Sequence, residues 1–237
     1  MKITPLLLVG AIALTGGNLW AASGRQDSIE RLQMSSDVLH SIMSAPDRGI
    51  PEEVMNSAKC IVVVPHLVKG GFVVGAEHGR GIASCRTADG WSAPAFVSVG
   101  GGSWGLQIGV EGVDLVMVVM NDRGLQHLLS SKFQVGGDAS ASAGPVGRHA
   151  SAGTDWTMNT ELLTYSRSRG VFAGITLDGA VVEQDADSTR AIYGRDPSFR
   201  SILAGNVRAP RSTAHFMQAI VETGRAGTVA EAQPGQQ

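Results

Sequence analysis

Between Gly100 and His149 the chain reads GGGSWGLQIGVEGVDLVMVVM, a short intervening piece, then FQVGGDASASAGPVGRH. Almost every residue is apolar, small or glycine. A run of this kind is compatible with buried sheet whose backbones pack closely where side chains are missing. For its small-residue part, from Ala139 on, low-complexity disorder is the alternative. Val113 to Met120 is apolar at nearly every position, which implies a strand covered on both faces. The 31 glycines are scattered without a fixed period. That excludes a collagen repeat and points to tight turns and close backbone contacts.

The flanking segments complete an α+β pattern. Residues Ser23 to Ser44 have helical spacing, with Asp27 and Glu30 placed as a capping box and Ile29, Leu32, Leu39, Ile42 and Met43 on one face. This helix has two readings: it packs on the domain's own sheet, or it lies in a membrane interface. Pro51-Glu52-Glu53 opens a second short helix. Cys60 to Pro65 reads as a buried strand and Leu67 to Gly71 as a turn. Phe72 to Gly75 and Gly81 to Cys85 read as strands around a polar turn, Glu77-His78-Gly79-Arg80. Trp91 to Val99 and Trp104 to Val110 continue the sheet. Asn121 caps a helix. Ala139, Ala141, Ala143, Ala150 and Ala152 alternate with small residues as a hairpin. Glu161 to Ser166, Val171 to Leu177 and Ala180 to Glu183 are further strands, the last two joined at Asp178-Gly179. Helices are expected from Asp187 to Gly194, from Asp196-Pro197, and from Ser212 to Thr223, with a loose tail from Ala226. The fold expected is α+β: a strongly curved, mostly antiparallel sheet or partial barrel covered by several helices.

Lys2 followed by the apolar run Leu6 to Thr15 and small residues at Ala21, Ala22 and Ser23 has the pattern of a secretory signal peptide over residues 1–22. A single domain over 23–225 and a tail over 226–237 account for the rest. Cleavage would remove Lys2 and leave 18 basic against 21 acidic residues. A chain that is not basic overall is a poor nucleic-acid binder. Periplasmic or secreted location makes a Cys60–Cys85 bridge a natural expectation. Two separate buried thiols are the alternative.

Short motifs offer little chemistry. Gly100, Gly102 and Gly105 match GxGxxG, and Gly101, Ser103 and Gly105 match GxSxG. Both motifs need a helix after the glycines, and Leu106 to Met120 is strand-like. A hydrolase using Ser103 with His127, His149 or His215 is therefore the least favoured reading. His78 beside Glu77 lacks metal-site spacing, as do the other histidines. No catalytic residue, metal site or cofactor is assigned. Basic residues near proposed turns (Lys69, Arg80, Arg86, Arg148, Arg167 and Arg169) form an anion-attracting rim if those turns meet at one end of the sheet. Arginine suits phosphate because its guanidinium donates two parallel hydrogen bonds.

Taken together, GGSWGLQIGVEGVDLVMVVMN, FQVGGDASASAGPVGR, YSRSRGVFAGITLDGAVV and AIYG resemble the SYLF domain, also called the Ysc84 or DUF500 family. AKCIVVVP, GFVVG, GRG and GWSAPAFV fit its first half. The resemblance runs from about Ile50 to Gly194. It implies non-enzymatic lipid binding. Eukaryotic members resemble phosphoinositide-binding modules with an amphipathic N-terminal segment, and some bind actin. An exported bacterial member would meet anionic membrane lipids instead, and export would separate it from cytoskeletal actin. Arg148, Arg167 and Arg169 would then face phosphate, with Ile29, Leu32 and Leu39 as apolar contacts. The alternative is an envelope module that docks a protein partner through the small-residue hairpin.

Overall fold

A computed structural model describes residues 16–43, 49–71, 74–104, 109–146, 160–168, 171–175 and 177–230. The strands among them are β1 (Cys60–Gly71), β2 (Val74–Thr87), β3 (Gly90–Trp91), β4 (Ala95–Trp104), β5 (Gly109–Val119), β6 (Lys132–Gln134), β7 (Ala141–Ala143), β8 (Leu162–Ser168), β9 (Val171–Gly174) and β10 (Val181–Gln184). They form one curled half-barrel in the order β6-β10-β4-β2-β1-β5-β8-β7, with β3 beside β2 and β9 beside β8. Every pairing is antiparallel except β7 with β8. The helices are α1 (Gly16–Met43), α2 (Glu52–Ser57), α3 (Asp122–Leu129), α4 (Ala186–Tyr193), α5 (Phe199–Leu203) and α6 (Ala214–Ala230). The fold class is the α+β half-barrel expected from the sequence.

Strand alternation divides the core in two. Cys60, Val62, Val64, Leu115, Met117 and Val97 face one side, which Leu128 of α3, Phe133 and the α5 residues Phe199, Ile202 and Leu203 close. Ile61, Val63, Ile82, Phe96, Val116 and Val118 face the other, under Leu32 and Leu39 of α1, Val54 of α2, and Phe216 and Ile220 of α6. The unbroken apolar run in β5 is explained by this double cover.

Several local expectations fail for identifiable reasons. Leu67 to Gly71 is not a turn, and neither is Glu77 to Arg80: both lie inside the long strands β1 and β2. The register of β1 slips between Val63 and Val68 against β2, and between Val64 and Leu67 against β5. His66 there has φ 52°, and Pro65, which lacks an N–H, sits where a bulge tolerates it. The bulge presses Val64 and Leu67 onto β2. A Cβ on Gly81 would lie 2.4 Å from the Val63 carbonyl oxygen, and one on Gly79 would lie 2.7 Å from Val64 Cγ1. The glycines of EHGRG permit close approach in a strand rather than a turn.

Asp178-Gly179 does turn the chain, but β9 pairs with β8 while β10 pairs with β4 and β6, so no hairpin forms. The helix expected at Asp196-Pro197 starts at Phe199, capped by Ser198, and α6 runs on to Ala230. Of the small-residue hairpin, β7 is described and lies parallel to β8, while Ala150 and Ala152 fall outside the described residues. Asn121 caps α3 as expected, accepting a hydrogen bond from Gly124 N–H at 2.9 Å.

Gly81→Ala is expected to cost about 3 kcal/mol, at the upper end of ordinary overpacking because the obstacle is backbone. Gly100→Ala, whose Cβ would have no neighbour closer than 3.6 Å, serves as the control. Denaturant midpoints measured at constant m-value check the pair. Equal midpoints would mean that the bulge yields.

Candidate functional site

Of the basic residues expected to form a rim, the four that are described do not all gather at one end of the sheet. Lys69 and Glu77 are cross-strand neighbours close to the β1–β2 turn. The Lys69 ammonium lies 3.3 Å from the Glu77 carboxylate, and the carboxylate side chain is only 4% exposed. Arg86 sits nine residues from Glu77 along β2, roughly 30 Å away at strand rise. Its guanidinium donates to the Ala58 and Met55 carbonyl oxygens, each at 3.0 Å, and stacks 4.6 Å from the Trp91 ring. Partial burial lowers its pKa.

Arg167 on β8 donates to Asp114 Oδ2 at 3.0 Å, and Asp114 Oδ1 accepts the His66 N–H at 3.1 Å. One carboxylate thus holds both Arg167 and the β1 bulge. Arg80 is exposed and has no hydrogen-bond or ion-pair partner among the described residues. Arg148 and Arg169 lie outside the described residues.

Within α1, Leu32 and Leu39 are 2% and 0% exposed and belong to the core under the helices, with Ile29 partly buried beside them. The helix packs on the domain. Ser28, Ser35 and Ser36 are buried on the same face, small enough to bring α1 close to its neighbours. Arg31 fixes it further. Its guanidinium donates to Asp185 Oδ2 and Ser188 Oγ, both at 3.1 Å, and lies 5.7 Å from the Phe96 ring. Burial lowers the Arg31 pKa, partly offset by the Asp185 charge. Burial likewise raises the hydroxyl pKa of Tyr165 and of Tyr193.

Cys60 and Cys85 are opposite residues on β1 and β2 and are joined by a disulfide. Of the two alternatives the sequence left open, the bridge is the one formed.

Ser103 lies within β4, which continues to Trp104, and the next described element is β5. Among the described residues no helix follows Ser103 as a nucleophile elbow requires. Gly101 approaches another strand connection closely: its Cβ would lie 3.0 Å from the Gly179 carbonyl oxygen. His127 is 3.6 Å from Glu161, and His215 lies edge-on to His40, with ring centroids 6.3 Å apart. His149 is outside the described residues. Glu77 and His78 are consecutive in a strand and so point to opposite faces. Among the described residues no group of three His, Cys, Asp or Glu could hold a metal ion.

A cationic segment outside the sheet turns lies toward the other end of the chain. Residues 195–211 contain four arginines (195, 200, 208 and 211) and one acid, Asp196. All four arginines are exposed and unpaired among the described residues. Asp196 lies 3.4 Å from Arg190, which also pairs with Asp187. A running charge count would have found this segment. A search restricted to sheet turns does not.

A family model described as "Ysc84: Las17-binding protein actin regulator" matches residues 100–223, more than half of the chain. The chain is 34% identical over 169 residues to SH3 domain-containing YSC84-like protein 1 of Rattus norvegicus, covering 70% of this chain and 49% of that protein. It is 32% identical over 169 residues to the Homo sapiens protein of the same name, with the same coverage. It is 31% identical over 168 residues to Protein YSC84 of Saccharomyces cerevisiae, covering 69% of this chain and 36% of that one. The chain thus spans about half or less of the curated relatives' length. The family description names binding and regulation rather than a reaction. With the curled sheet in place and the matched residues running from β4 to α6, this chain belongs to the Ysc84 (SYLF) family.

Proposed function

We propose that this domain is a non-enzymatic module of the bacterial envelope that binds anionic lipid head groups peripherally. The observation that carries the reading is exposed arginine without a carboxylate partner on a chain of formal net charge −2. Family membership supports it through the lipid binding that the resemblance implies. The N-terminal apolar run and the disulfide support export to an oxidising compartment. No helix among the described residues is long and apolar enough to cross a membrane.

Because Leu32 and Leu39 are committed to the core, contact is electrostatic rather than by insertion of α1. Of the basic residues proposed from the sequence, Arg80 is exposed without a partner among the described residues, and Arg148 and Arg169 are proposed on their sequence positions alone. Lys69, Arg86 and Arg167 contribute less, since each already has a partner within the fold.

Co-sedimentation with vesicles of graded phosphatidylglycerol content tests the reading. Binding should rise with anionic lipid and fall as salt screens it. Failure to bind any anionic vesicle at low salt would leave the second reading, a protein-docking module, which the family's description as a Las17-binding regulator favours.

A further inference from the structure

Residues 195–211 form a strap across the end of the sheet where β2 passes into β3 and β4. Three anchors hold it there. Tyr193, just before it, donates its hydroxyl to the Pro94 carbonyl oxygen at 2.7 Å. Inside it, a Cβ on Gly205 would lie 3.0 Å from Thr87 Cγ2. Phe199, Ile202 and Leu203 are buried under the sheet, and Val207 is 7% exposed. With its apolar residues facing in, the strap presents Arg195, Arg200, Arg208 and Arg211 to solvent.

Its charge is not cancelled locally. Asp196 is engaged by Arg190. Asp89, in the β2–β3 turn, is an exposed acid at this end, and Asp122 of α3, the helix that packs on α5, is engaged by Lys59 at 3.1 Å. Arg86 adds a positive charge at the same end of β2. The strap carries four arginines against one acid, so a chain of formal net charge −2 leaves −5 on the remainder. The molecule is therefore polarised, with a cationic end on an acidic body. Such a distribution orients a protein toward a polyanionic surface while the rest of it is repelled.

We infer that this arginine strap supplies the larger share of the charge by which the domain docks on an anionic lipid surface. The inference rests on the lipid-binding reading above and names its surface. Four arginines spread over one strap match an array of phosphodiester groups better than a single enclosed ligand, since no arginine here is buried against another polar group. Guanidinium groups suit it because each can grip two phosphate oxygens.

The test uses the full chain and vesicles of phosphatidylglycerol and phosphatidylcholine in about equal parts. The variant R200A/R208A/R211A should lower the partition coefficient about 100-fold, at roughly a fivefold loss for each basic residue near the surface. The charge-preserving R200K/R208K/R211K should retain most of the binding, with both folds checked by thermal unfolding. The rim variant R80A/R148A/R169A should lose less than the strap variant. Wild-type protein that binds while the strap variant binds equally well overturns the strap and leaves the lipid reading standing. Wild-type protein that binds soluble polyglutamate but none of the vesicles overturns both, in favour of an acidic protein partner. Wild-type protein that binds neither overturns the strap as a polyanion surface altogether.

Discussion

Replacing Asp185 with alanine is expected to destabilise the protein by about 4 kcal/mol, the range for orphaning one member of a buried ion pair. The side chains of Arg31 and Asp185 are 6% and 11% exposed. Without the carboxylate, a guanidinium stays buried beneath α1 with Ser188 Oγ as its remaining acceptor. The same carboxylate caps α4 by accepting the Ser188 N–H at 3.0 Å, a contact worth about 1 kcal/mol on its own. Arg31→Met should cost less, because it removes the charge and leaves the cap. The double variant R31M/D185N should recover part of the loss, since a buried pair exchanged for neutral groups is often close to neutral. Denaturant unfolding measures all three. A single Asp185→Ala variant as stable as the native protein would mean that Arg31 finds water.

This pair also has a pH signature. Burial by itself raises the Asp185 pKa, but hydrogen bonds from Ser188 and the charge of Arg31 outweigh it, and the carboxyl ends below its ordinary value. A carboxyl lowered on folding binds fewer protons in the folded state. Its stabilisation is present above the ordinary carboxylate range and is lost as pH falls through the lowered value. Acid unfolding should therefore begin with α1 losing its hold on α4, which hydrogen exchange along α1 would detect.

Removing the disulfide is the second large effect. The bond closes a loop of sequence separation 25, and the chain-entropy relation gives about 3.5 kcal/mol for a loop of that length. Both cysteines are buried, at 0% and 2% exposure, so alanine is the proper replacement; serine would add an unsatisfied hydroxyl. C60A/C85A should melt roughly 10 °C lower than the oxidised protein. An unchanged melting temperature would show that the β1–β2 pairing already restricts the unfolded chain as much as the bond does. If the domain works outside the cytoplasm, the stabilised form is the one that operates there.

Much of the sheet could be read in advance because strands covered on both faces leave an unbroken apolar signature, as Val113 to Met120 does. The helix at Asn121 was equally legible, since a cap is a local hydrogen bond between near neighbours. EHGRG was misread because a glycine carries the same letter whether it turns a chain or makes room for a neighbouring bulge. Val63 and Val64 lie seventeen or more positions from Gly81 in the chain, and only the folded sheet brings them into collision with a missing Cβ.

The charges divide the same way. From its own order of residues the chain determined an α+β fold, two cysteines able to bridge, and which positions are basic. Only the tertiary structure decided which of those charges remain available. Lys69 meets Glu77 across a strand pair, Arg167 meets Asp114 from 53 positions away, and Arg31 meets Asp185 across most of the domain. The reason is that a counter-charge acts through distance in space, which sequence separation does not report. The arginines of residues 195–211 stay uncompensated because their segment turns its apolar side chains inward and meets no acidic strand on the way.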